Sequence, residues 1–259
     1  GASATTIYVP FYFWFCRNPG LALPLIALQY HEVKLNIEFN SLSGDGGLIR
    51  STTSTPATSG SLINVSLWVD YIYLDTDERR RFAQVSHEYL IEQLQFSGNE
   101  TVTSSTQRIK LNFNHPVKEL VWVTQLDTSV AHDNHTTYNT TEKNNDLKAF
   151  TSSNSNITSA AKLQLNGHDR FAERKGAYFN YVQPYNHHTA SPANGINSYS
   201  FALKPEEHQP SGTCNFSRID NAILQLTLIV SSSAKTRIYA TNYNVLRVMS
   251  GMGGLAYSN

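Results

Sequence analysis

Two runs near the end of the chain alternate with a period of two, and they restrict its fold more than any other feature. In the first, Leu224, Leu226 and Leu228 are interleaved with Gln225 and Thr227. In the second, Ile238, Ala240, Leu246 and Val248 face one way and Tyr239, Thr241, Tyr243 and Val245 the other. Successive side chains of a strand point to opposite faces, so this repeat, rich in β-branched and aromatic residues, predicts half-buried strands. Strands need partners, and segments of the same kind lie upstream. After residue 85 they are Glu88–Phe96, Ile109–Phe113, Leu120–Thr124, Lys162–Leu165, Ala177–Val182 and Tyr199–Leu203. Before it they are Ile7–Phe15, a continuous apolar run suited to a strand covered on both faces, Val33–Phe39, and Leu67–Leu74.

Between Leu74 and Glu88 the pattern changes. Asp75, with Glu78 three residues on, is a capping-box start, and the RRRFAQ that follows predicts a short helix. We place a boundary there, with residues 1–84 and 85–259 as two unequal β domains. The second has eight strand segments separated by long loops, which predicts an all-β chain whose second half is a complete eight-stranded jelly roll. Ser41–Ser61, rich in Gly, Ser and Thr, and Asp127–Ser159, rich in Asn, Thr and Ser, are expected to be solvent-facing loops, the latter tolerant of insertion.

Composition narrows the function classes. Charged residues make up 15% of the chain, with 20 basic and 20 acidic, and there is no basic run to follow a phosphate backbone, so no direct nucleic-acid partner is expected. A hydrophobic fraction of 40% with 11% aromatics argues against disorder. Cys16 and Cys214 are far apart and outside any CxxC spacing, which reads as two buried free thiols and a reducing compartment of synthesis, a single bridge being the alternative. No stretch is apolar for long enough to span a bilayer, so membrane insertion is not expected, and Gly1–Thr6 lacks the basic start and apolar core of a signal peptide.

Candidate chemistry is sparse. His168, His187, His188 and His208 could be metal ligands, but adjacent residues of an extended segment point apart, and no metal site is expected from them. Asp75-Thr76-Asp77 has the form of a metal-nucleotide DxD, yet at a helix start it reads as capping. Glu206-Glu207 is read as a solvated pair, and Gly251-Met252-Gly253-Gly254 leaves no room for the helix of a dinucleotide loop. No catalytic residue and no cofactor is assigned. Of six N-x-S/T sequons, Asn134, Asn139 and Asn156 fall in the expected exposed loop and are the candidate glycosylation sites. A carbohydrate-binding jelly roll is the alternative reading, with Tyr138 and Tyr185 as sugar-stacking rings.

Several blocks carry a family resemblance: GLALPLIALQYHEVKL (20–35), LWVDYIYLDTDERRRFAQVSHEYLIEQLQF (67–96), RIKLNFNHPVK (108–118), LQLNGHDRFAERKGAYFNYVQPY (163–185), YSFALKPEEHQPSGTCNFSRIDNA (199–222) and YATNYNVLRVMSGMGGLAYSN (239–259). They closely resemble the major capsid proteins of large nucleocytoplasmic DNA viruses, the phycodnaviruses of algae in particular. The resemblance implies a double jelly roll and a homotrimer forming a pseudo-hexagonal capsomer. It also implies neighbouring capsomers and minor capsid proteins as partners in a virion shell made in the infected host cell. It further implies that residues 1–84 are the C-terminal part of a first jelly roll plus a linker helix, most of that barrel being absent, as in a partial gene sequence.

Overall fold

The run at 224–228 is an interior strand of a five-stranded sheet in the computed structural model, which describes residues 6–39, 64–131, 136–140 and 156–257. Eleven strands follow one another among those residues. They are β1 (His87–Thr101), β2 (Thr106–Lys110), β3 (Pro116–Leu126), β4 (Thr158–Leu165), β5 (His168–Asp169), β6 (Arg174–Lys175), β7 (Ile196–Ser200), β8 (Cys214–Asn215), β9 (Ala222–Leu228), β10 (Ala234–Met249) and β11 (Met252–Leu255). Helix α1 (Thr76–Gln84) precedes them, α2 (Asp127–Ala131) ends β3, and a π-helical turn at Tyr178–Val182 leads into α3 (Gln183–His187).

One sheet has the order β1-β10-β3-β7, with β11 on β10 and β8 on β3; the other has β2-β9-β4-β5, with β6 on β4. The chain passes from sheet to sheet, β1 to the first, β2 to the second, β3 back, β4 across again, and the closing β7, β9 and β10 repeat the exchange. Two antiparallel sheets woven in this way are a jelly roll. The fold is all-β, as expected, but the eighth strand is not where the sequence reading put it. Its place beside β4 is taken by the short β5 and β6, and Ala177–Val182 is helical. The reason is packing. Phe179 is fully buried against Trp122, ring centroids 5.1 Å apart, and the Asn180 amide donates to the carbonyls of Ala193 and Ile196. A helical turn brings consecutive residues to those targets, and a strand would turn them apart.

The core follows from the alternation. On β9, Ala222, Leu224, Leu226 and Leu228 are buried and the residues between them are not. On β10, Ala234, Thr236, Ile238 and Ala240 are buried and lie opposite Leu126, Thr124, Trp122 and Leu120 of β3. Leu163, Ile109 and Phe216 fill the same cluster. A fully buried Leu, Ile or Phe contributes about 1.5–3 kcal/mol relative to exposure. A polar pair in the inner rows is self-satisfied: the Thr124 and Thr236 hydroxyls are 3.0 Å apart. The alternation of β10 does not run through unbroken. The register with β3 shifts between Thr241 and Asn242, and beyond this bulge Tyr243, expected on the face of Tyr239, is buried.

Two compact units divide the described residues. One comprises 6–35, 66–93 and 244–257, the other 36–39, 64–65, 94–131, 136–140 and 156–243. In the first, Leu21, Ala27, Ile91 and Val248 are buried, Arg17 pairs with Glu92, and α1 is capped as read, Asp75 Oδ1 accepting from Glu78 N at 2.9 Å. The three strands expected before residue 85 are corrected. Ile7–Phe15 is extended to Phe13 and then turns at Trp14–Cys16, while 33–39 and 67–74 are extended without a ladder partner among the described residues. Strand propensity states that a segment fits a pleated surface; without a neighbouring strand no ladder forms.

Ser41–Ser61 lies outside the described residues, and so does most of Asp127–Ser159. The described parts of the latter differ from the exposed loop expected. Asp127–Ala131 is helical, Asn139 forms a β-bridge with Asn156, and Ile157 and Thr158 are buried at the start of β4.

Candidate functional surfaces

The residue types singled out for chemistry separate in space. His187 Nδ1 lies 3.0 Å from the Leu203 carbonyl, whereas His188 Nε2 lies 2.9 Å from Glu119 Oε2. His168 is exposed in β5 and His208 half-buried in the turn after Leu203. Asp75 caps α1 and Asp77 approaches Arg80 at 3.7 Å. Glu206 accepts the Thr189 amide at 3.0 Å while Glu207 pairs with Lys204, so the adjacent carboxylates serve different partners. Gly251 to Gly254 form the turn and second arm of the β10–β11 hairpin.

His188 was not found by sequence reasoning as a paired residue, because Glu119 is distant in the chain. Glu119 stands on β3, and its other oxygen accepts from Thr241 of β10 at 3.4 Å. The hydrogen bond to Glu119 raises the His188 pKa above the ordinary histidine value, opposed by partial burial. Nearby, Lys118 is buried with its ammonium 5.5 Å from the Tyr243 ring centroid. The arrangement ties a loop to a sheet.

The sequons are placed as follows. Asn134 lies outside the described residues. Asn139 is 5% exposed, and Asn156 donates its amide to Asn197 Oδ1 at 2.7 Å while its own Oδ1 accepts from Thr158 N. Asn139 is thus buried and Asn156 half-buried, and the two form a β-bridge beside β4. Asn99 and Asn215, not singled out from the sequence, are exposed. Of the two rings proposed for sugar stacking, Tyr185 is 85% exposed on α3, but Tyr138 is half-buried, its carbonyl 2.0 Å from where a Cβ on Gly195 would stand.

Exposed apolar surface is abundant in the first unit. Trp68 is 85% and Tyr73 91% exposed, and Ile7, Tyr8 and Val33 are also in contact with solvent. Phe11, Phe13 and Phe15 stack along one side of the first segment, with centroids 5.7 and 5.1 Å apart. Apolar surface of this extent is uncommon on a monomeric soluble protein.

Comparison with known proteins agrees with the sheet order. A family model described as large eukaryotic DNA virus major capsid protein matches residues 78–254, and a second, described as major capsid protein N-terminus, matches residues 2–75. The major capsid protein of Pyramimonas orientalis virus is 53% identical over 98% of this chain and 62% of its own length. That of Phaeocystis pouchetii virus is 48% identical over 98% of this chain and 66% of its own. The chain thus spans less than two thirds of either relative. Among solved structures, that of PBCV-1 VP54, fitted into a cryo-EM reconstruction of the virophage Sputnik, superposes with a TM-score of 0.76 at 44% identity, covering 97% of this chain and 70% of VP54.

Proposed function

The chain belongs to the major capsid proteins of large eukaryotic DNA viruses, and from that premise we propose that it is a structural subunit of an icosahedral virion shell and performs no covalent chemistry. The observation that carries this reading is the jelly-roll sheet order, superposed over 97% of the chain on a capsid protein. The distribution of polar groups agrees with it, since Asp75, His188 and Glu206 are engaged in capping, pairing and turn contacts. We read residues 1–84 as the closing part of a first jelly roll with its linker helix, and 85–259 as the second. Further strands of that first barrel would then cover Trp68, Tyr73 and the phenylalanine ladder.

We further propose a homotrimer, contacting neighbouring capsomers and minor capsid proteins through more polar surfaces. A three-copy ring is heterologous, so the two surfaces that meet must differ, and two unequal barrels supply that difference. Low charge and abundant Tyr and Phe suit the cores of such interfaces. Sedimentation velocity on the full-length protein tests the proposal: the expected species is a trimer, and a protein that stays monomeric at the highest concentration reached overturns it.

A further inference from the structure

The β10–β11 hairpin, Leu246 opposite Leu255 through Met249 opposite Met252, turns at Ser250 and Gly251, both at positive φ. Residues 28–31 lie against this turn. Tyr30 N donates to the Gly251 carbonyl at 2.9 Å, and Gly253 N donates to His31 Nδ1 at 2.8 Å. The fit is close: a Cβ on Gly251 would stand 2.5 Å from the Tyr30 ring, and one on Gly253 would stand 3.0 Å from Leu28 Cδ2. The segment thus holds the turn by two hydrogen bonds and by side chains that occupy the space glycine leaves.

One of the two bonds depends on a proton. Nδ1 of His31 accepts, so the ring is the neutral tautomer carrying its hydrogen on Nε2. An imidazolium has a hydrogen on both nitrogens and no acceptor, and protonation would set the Nδ1 hydrogen against the Gly253 amide. His31 is exposed, so water reaches it without any opening. The surrounding charges do not substitute for the lost bond. Arg247, opposite Gly254 across the hairpin, is bound to Glu88 at 2.7 Å, and Glu32 and Lys34, which flank His31 in sequence, pair with each other at 3.1 Å. Among the described residues no ion pair involves His31. We propose that His31 is an acid-sensitive clasp on the β10–β11 hairpin: neutral, it holds the Gly253 amide, and protonated, it releases that amide.

Amide exchange on the full chain tests this, with Ala256 as internal reference, because its amide donates to the Val245 carbonyl and has no titrating partner. Between about pH 8 and about pH 5, protection of Gly253 relative to Ala256 is expected to fall about three- to tenfold. His31→Asn keeps an acceptor oxygen near the Nδ1 position and cannot take up the proton, so its ratio is expected to stay constant. A constant ratio in the unmodified protein, or the same fall in the variant, overturns the proposal. Should the variant fail to fold, the unmodified protein still decides: the midpoint of the ratio must coincide with the His31 ring titration followed by NMR, and a midpoint elsewhere overturns it.

Discussion

His188 and Glu119, far apart in sequence, meet at 2.9 Å, and the contact fastens the end of α3 to β3. Glu119 raises the pKa of His188, so the folded state holds the proton more tightly than the unfolded chain does. The sign follows: stabilisation is complete below the ordinary histidine value and is lost as pH rises through the raised one. Glu119→Gln should lower the His188 titration midpoint measured by NMR. It should also lower the melting temperature at about pH 6 more than at about pH 9, where the ring is neutral in both proteins. An equal loss at both pH values would mean that Glu119 acts through Thr241 and packing alone.

Gly176 has no room for a side chain, since a Cβ there would stand 1.8 Å from the Thr158 carbonyl oxygen. Gly176→Ala must displace backbone and is expected to cost roughly 3 kcal/mol or more, the upper end of overpacking effects. Gly254→Ala, with nothing within 4 Å of the new Cβ, should stay within about 0.5 kcal/mol. Denaturant unfolding of the two variants checks the contrast.

Leu226 is fully buried in the inner row of β9, whereas Leu94 on β1 is 67% exposed. Leu226→Ala should destabilise by about 2–5 kcal/mol and Leu94→Ala by no more than about 0.5 kcal/mol. Similar losses from both would place Leu94 in an interface formed in solution.

Glycopeptide mapping of the protein purified from virions should find no sugar on Asn139 or Asn156. A glycan needs a free amide and open space, whereas Asn139 is 5% exposed and the Asn156 amide is donated to Asn197 Oδ1. Occupancy at either would require that arrangement to open.

The strands legible in the sequence were those with one uniform face. Leu224, Leu226 and Leu228 announce β9 because the three leucines share the same core. Ala177–Val182 misled because its apolar residues suit a strand and a buried helical turn equally. The nearby signals, Gly176 pressed on Thr158 and Pro184 opening α3, gain meaning only from the packing. The short β5 escaped notice for want of length, although Asn166-Gly167, both at positive φ, is a two-residue hairpin turn written plainly in the sequence. The extended segments before residue 85 have strand composition and no strand, since a ladder belongs to two segments and propensity to one. The His188–Glu119 contact was hidden for a related reason: folding, not spacing, brings them together.

The order β1-β10-β3-β7 also sets a schedule. β1 leaves the ribosome first, but the strand that completes its sheet begins about 130 residues later, at Ala234. At about 5–20 residues per second, the interval is on the order of ten seconds or more. Throughout that time β1 has no β10 to pair with, and the edge of β3 that β10 will pair with stays open. A chain made in great numbers at once would therefore hold many half-finished sheets side by side, each open to a neighbour's strand instead of its own. The rate at which β10 emerges, more than the stability of the finished barrel, would then govern how much of it is ever reached.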